Sequence, residues 1–170
     1  MIRVRIRRPF RAAAAALLLA LPACDEGITT PRVLAGHWLA VETYGTQNYR
    51  IEDRLELRQD GGFTWTTANF APEGRAEDGL VSWFSRVGSW GVDGDWFALG
   101  TASGMMWEHG RGWSQVDYAG EWRRGHRLRM EGDRMILEEK LPPEYSRAPR
   151  TMTFIRTANF DDAPRPPAGP

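Results

Sequence analysis

Arg54-Leu55-Glu56-Leu57-Arg58, then Asp60-Gly61-Gly62, then Phe63-Thr64-Trp65-Thr66-Thr67: the stretch from 54 to 67 decides the fold. On both sides of the glycines, large apolar side chains alternate with polar ones. That is the two-residue period of a half-buried strand, in which Phe63, Trp65 and Thr67 share one face. Asp-Gly-Gly between two such runs supplies a tight turn, so the stretch reads as an antiparallel hairpin. The same grammar recurs along the chain. Trp90-Gly91-Val92 and Trp96-Phe97-Ala98-Leu99 flank Asp93-Gly94-Asp95, and Leu128-Arg129-Met130 and Arg134-Met135-Ile136-Leu137 flank Glu131-Gly132-Asp133. Thr151-Met152-Thr153-Phe154-Ile155 is a β-rich closing strand. Nothing after residue 24 sustains a helical period of three to four. The expected fold is all-β: an antiparallel meander of about eight to ten strands, closed into a barrel that removes exposed edges. A two-sheet sandwich is the alternative. Val81, Trp83, Ser85 and Val87 share one parity whereas Trp90 and Val92 share the other, so a β-bulge near Gly88 is expected, with Trp83 inward.

The ends of the chain differ from this middle. Arg3, Arg5, Arg7, Arg8 and Arg11 precede Ala12–Leu21, ten residues that are all Ala or Leu. With Pro22 and Ala23 the apolar run is about twelve residues, short of the roughly twenty that span a bilayer as a helix. It fits the apolar core of a secretory signal, residues 1–23, with the arginines as its basic start. Taking these five arginines from the 22 basic side chains leaves 17 against 22 acidic ones, a net of −5 for the remainder. Such a domain lacks the positive surface that nucleic acid requires. Residues 24–34 read as a linker. At about 3.5 Å per residue its ten residues after Cys24 reach ~35 Å. Residues 158–170, with four prolines, read as a disordered tail after a domain spanning 35–157.

Leu21-Pro22-Ala23-Cys24 resembles the lipobox of bacterial lipoproteins. The resemblance implies that the Cys24 thiol receives a lipid, that cleavage falls before it, and that acyl chains (palmitate among them) anchor the protein to a membrane of the cell envelope, facing the periplasm. Cys24 is the chain's one cysteine, so it has no disulfide partner within the chain. Asp25 resembles the enterobacterial signal for inner-membrane retention, and Asp25-Glu26 equally suits the start of a solvated linker. Further on, Gly36-His37-Trp38 resembles the Gly-x-Trp opening of the lipocalins and of small bacterial lipocalin-like domains. The similarity continues through Leu55-x-Leu57, Asp60-Gly61-Gly62, Phe63-Thr64-Trp65, Gly88-Ser89-Trp90 and the last strand, Thr151–Arg156. It implies a lipocalin-like barrel whose narrow end is closed by Trp38, with Gly36 permitting a tight backbone path. The T-D-Y-x-x-Y element of lipocalins proper is absent, as are their cysteine pairs. The glycines that follow the Trp in haem-binding barrels are replaced by Leu39-Ala40-Val41. No particular ligand is therefore implied.

Chemistry-bearing residues are sparse. His37, His109 and His126 have no metal-ligand spacing, so no metal and no cofactor are expected. No serine sits in a nucleophile elbow. The carboxylate pairs Glu52-Asp53, Asp93 with Asp95, and Glu138-Glu139 are explained by alternation or turns. Arg123, Arg124, Arg127 and Arg129 form the basic cluster, suited either to anionic lipid head groups or to the neighbouring acids Glu121, Glu131 and Glu138. Eight tryptophans (38, 65, 83, 90, 96, 107, 113 and 122) exceed what one barrel floor needs, and Trp107 and Trp113, in a glycine-rich run, are the candidates for exposure. The expected function is non-enzymatic binding of a small apolar or amphipathic ligand, or of envelope lipid, lined by Phe63, Trp65, Thr67 and Trp83. The alternative is a protein-interaction module (an envelope sensor, inhibitor or assembly factor) with a filled barrel.

Overall fold

The computed structural model describes residues 31–45, 48–72, 79–140 and 149–168, with side chains left aside at Pro31 and 119–124. The signal segment, Cys24 and Asp25 lie outside the described residues. A short helix, α1 (Pro31–Leu34), leads into eight strands: β1 (Gly36–Tyr44), β2 (Tyr49–Leu57), β3 (Gly62–Phe70), β4 (Leu80–Asp93), β5 (Trp96–Glu108), β6 (Gly112–Glu131), β7 (Arg134–Glu139) and β8 (Thr151–Thr157). Every strand pairs antiparallel with its sequence neighbours, and β1 pairs with β8, so the meander closes into a lipocalin-like barrel. Among the described residues, no helix is long and apolar enough to cross a membrane.

The three turns read from the sequence join β2–β3, β4–β5 and β6–β7, all at one end of the barrel. In the first, Gly61 at φ +84° makes the reversal, and the Gly62 N–H donates to Asp60 Oδ1 at 2.8 Å. Above these turns lies the core: Leu34, Trp38, Leu55, Leu57, Phe63, Trp65, Trp90, Phe97, Leu99, Leu128, Met135, Leu137, Met152 and Phe154 are all buried. Trp38 is fully buried at this end, and its indole N–H donates to the Leu34 carbonyl at 2.7 Å. The Arg156 guanidinium lies 4.2 Å from the Trp38 ring centroid and donates to the carbonyls of Ala35 (2.9 Å) and Val33, tying α1 to the first and last strands. A Cβ at Gly36, whose φ is +137°, would meet Arg156 Nη1 at 2.6 Å. The small residue is what lets the arginine reach across.

One register expectation is corrected. Directly paired residues share a face, and Trp65 pairs with Arg86, so the even-numbered residues of β4 point inward. Beyond an irregularity at Val81, where Asn69 pairs with Ser82 but Phe70 with Leu80, Phe84, Arg86, Gly88, Trp90 and Val92 keep that parity, and β4 has no bulge near Gly88. Trp83 consequently faces outward. The irregularity sits across the ladder, where Val87 pairs with Ser103 but Gly88 pairs with Thr101, leaving the exposed Ala102 as the extra residue in β5. Gly88 is demanded by close approach, since a Cβ there would lie 2.1 Å from the Gly100 carbonyl oxygen. The Gly-rich run is corrected too. Residues 106–108 belong to β5 and 112–113 to β6, so Trp107 is a buried strand residue and Trp113 is half-buried.

Candidate functional site

The two ends of the barrel are built differently. Tight turns close the end beside Trp38. At the other end lie Gly45 and Asn48, Ala71 and Gly79, the turn at 109–111, and Lys140 and Arg150. Between them the inner wall changes from apolar to polar. On β2 the inward positions run Leu57, Leu55, Asp53; on β3 they run Phe63, Trp65, Thr67, Asn69. The period-two rule that buries Leu55 and Leu57 carries Asp53 inward with them.

Asp53 is 1% exposed and all its partners are inward neighbours. Its Oδ1 accepts the Trp65 indole N–H at 2.9 Å and the Thr67 hydroxyl at 2.6 Å. Its Oδ2 accepts from Arg150 Nη2 at 2.8 Å. Arg150 stands just before β8 on the inward parity of Met152 and Phe154, and it also donates to Glu42 Oε2 from Nε (3.1 Å) and Nη2 (3.0 Å). Burial works to lower the pKa of this guanidinium, but the Asp53 and Glu42 carboxylates outweigh it and hold the value raised. The cluster ties β1, β2, β3 and the start of β8 together across the barrel. With both oxygens engaged, Asp53 is a structural acceptor and not a free base.

Beside the cluster, on the neighbouring strand, the Arg86 guanidinium lies 4.5 Å from the Trp65 ring centroid and 5.3 Å from that of Phe84. Such stacking lets a cation sit against aromatic faces at modest desolvation cost. Phe84 in turn meets Tyr118, with ring centroids 6.4 Å apart. Below, Trp65 packs edge-on against Phe154 at 5.8 Å and lies 6.1 Å from the buried ring of His126. Further toward the open end, the inward side chains Ser82, Met106 and Val116 are half-buried, and Ser114 is exposed.

The four residues expected to line a ligand site therefore part company. Phe63 is fully buried in the closed half. Trp65 marks the boundary between halves, and Thr67 lies on the inner wall above it. Trp83 is on the outside, packed edge-on against Trp113 at 5.5 Å. Asp53, Phe84, Arg86, Met106, Tyr118 and Arg150 join Trp65 and Thr67 instead. Parity with Leu55–Leu57 and with Met152–Phe154 would have identified Asp53 and Arg150. Arg86 and Phe84 needed the β3–β4 register. Of the basic cluster, Arg127 pairs with Asp95 at 2.9 Å and Arg129 with Glu131 at 3.0 Å, while the side chains of Arg123 and Arg124 are outside the description. Among the described residues, no three His, Cys, Asp or Glu side chains are grouped to hold a metal. No protein-family model matches the chain, and no curated protein matches it.

Proposed function

We propose that this protein is a lipid-anchored, non-enzymatic carrier of the bacterial cell envelope, which binds a small amphipathic molecule in the open half of its barrel. One observation carries the reading. At the open end, apolar and aromatic side chains that point inward (Phe84, Met106, Val116 and Tyr118) are only half-buried, although most inward apolar positions in the closed half are buried, with Val92 and Met130 partly so. An eight-stranded barrel is wide enough either to be filled by side chains or to hold one small ligand. The wall offers both kinds of contact such a ligand needs: aromatic and thioether surface, and charged groups around Arg86, Arg150, Glu42 and Asp53. The lipobox-like Leu21–Cys24 supplies the anchor, and the short linker keeps the barrel near the bilayer from which an amphipathic ligand would be drawn.

The test is space. Met106→Trp enlarges a half-buried inward side chain near the open end without touching the Asp53 cluster. The wild-type barrel should bind an apolar fluorescent probe saturably, and Met106→Trp should lose that binding while unfolding at nearly the wild-type denaturant concentration. Thr67→Phe is the poorer variant, because it also removes the hydroxyl that donates to Asp53. Probe binding undiminished in Met106→Trp, or absent from the wild type, would remove the carrier reading and leave the barrel as an interaction module.

A further inference from the structure

On the outer wall, one row of directly paired residues runs across five strands: Glu52 on β2, Ala68 on β3, Trp83 on β4, Trp107 on β5 and Trp113 on β6. Three tryptophans side by side on the outside of a barrel are not explained by its core. Yet Trp107 is 9% exposed and Ala68 is 0% exposed. The segment after β8 comes to this wall. Phe160 packs edge-on against His37 of β1 at 4.9 Å, Asp162 approaches Arg54 of β2 at 3.9 Å, and the Pro167 carbonyl accepts the Trp113 indole N–H at 3.1 Å. The contacts thus move from β1 to β2 and end on β6. From Asp162 to Pro167 an extended polyproline-type chain covers ~16 Å, and the four strand spacings from β2 to β6 come to ~19 Å. After the turn closed by the Ala163 N–H on the Phe160 carbonyl, an extended segment with the Arg54 and Trp113 side chains at its ends is long enough to pass over β3, β4 and β5. That segment is Asp162-Ala163-Pro164-Arg165-Pro166-Pro167, in which Pro164 and Pro166 are half-buried.

We propose that the Trp83–Trp107–Trp113 wall is a docking surface for extended proline-rich segments, occupied in cis by residues 162–167 and open to a partner's proline-rich segment when these are displaced. The chemistry matches at each point. A proline has no N–H to leave unsatisfied on a sheet face, its ring packs flat on indole, and its preset backbone loses little entropy on docking. Indole N–H groups donating to peptide carbonyls between aromatic faces are how proline-rich ligands are held in aromatic-lined grooves. The strap's polar contacts are few: the exposed Asp162 with the buried Arg54 at 3.9 Å, and the Pro167 carbonyl with the half-buried Trp113. The inference does not rest on the barrel interior binding anything.

The test uses a synthetic peptide of residues 159–170 and the tryptophan emission of the protein. A chain ending at Phe160 should bind the peptide saturably, at least about tenfold more tightly than the full chain, in which the tethered strap competes at high effective concentration. Replacing the three prolines 164, 166 and 167 by alanine in the peptide should weaken binding by about tenfold, and Trp113→Phe in the truncated chain should weaken it in the same direction. If the truncated chain does not fold by circular dichroism, the full chain carrying Pro164→Ala, Pro166→Ala and Pro167→Ala serves as acceptor, with the same expectation. Equal binding by strapped and unstrapped chains, or no binding by either up to millimolar peptide, would overturn the proposal.

Discussion

Replacing Trp38 with alanine probes the closed end on which the rest of the barrel stands. The side chain is fully buried, and deleting a buried aromatic costs about 3–5 kcal/mol in lost transfer energy and residual cavity. Two further contacts go with it. The indole N–H to the Leu34 carbonyl contributes about 1 kcal/mol, and the Arg156 guanidinium over the ring, half in solvent, adds about 0.5–1 kcal/mol. The expected loss is therefore roughly 4.5–7 kcal/mol, a large part of the stability of an ordinary domain. Trp38→Phe keeps most of the volume and loses the N–H, so it should cost only about 1–2 kcal/mol. Urea denaturation of the domain expressed from residue 25, followed by far-ultraviolet circular dichroism, reads both. With a slope of about 2 kcal/mol per molar, the alanine variant should unfold roughly 2–3.5 M earlier than wild type. A shift equivalent to less than about 0.5 kcal/mol, the range of exposed sites, would refute the assignment of Trp38 to the barrel floor.

Cys24→Ser should abolish incorporation of a clickable palmitate analogue and block cleavage of the signal, and equal labelling of the variant would end the lipoprotein reading. Asp53→Ala should destabilise the domain by about 2–4 kcal/mol, because it leaves the buried Trp65 N–H without an acceptor and removes one of the two carboxylates holding Arg150; a melting curve unchanged from wild type would show that the cluster carries no stability. The hydrogen bond from Arg127 holds the Asp95 pKa below the ordinary 3.8 although the carboxylate is exposed. A depressed folded-state value means that any stabilisation is present above the unfolded pKa and is lost as pH falls through the folded one, so carboxyl chemical shifts should titrate Asp95 below 3.8 at low salt and move toward it as salt screens the pair.

What was legible in the sequence, and what was not, follows from the range of the interactions. Hairpins were legible because alternation and turn glycines are local: Leu55-x-Leu57, Asp60-Gly61-Gly62 and Phe63-x-Trp65 state both the strand faces and the reversal between them. Trp83 was misplaced because its facing depends on which residue of β3 lies opposite, and no local pattern encodes that pairing. The Val87-to-Trp90 parity change read as a bulge in β4 because the odd residues Val81, Trp83 and Val87 are apolar. They are apolar for a different reason: Trp83 belongs to an outer aromatic row. The Asp53–Arg150 pair joins residues 97 apart in the chain, beyond any periodicity argument. The outer contacts of Phe160 and Pro167 rest on single contacts to distant strands, which composition cannot show.

Whether the open half of the barrel holds a small amphipathic molecule, as proposed, is read by native mass spectrometry of the lipidated protein extracted gently from its own membrane. A population heavier than the lipidated chain by one discrete small-molecule mass, released on mild activation and missing from Met106→Trp, is expected. A single species at the mass of the lipidated chain alone, identical in wild type and Met106→Trp, would contradict it.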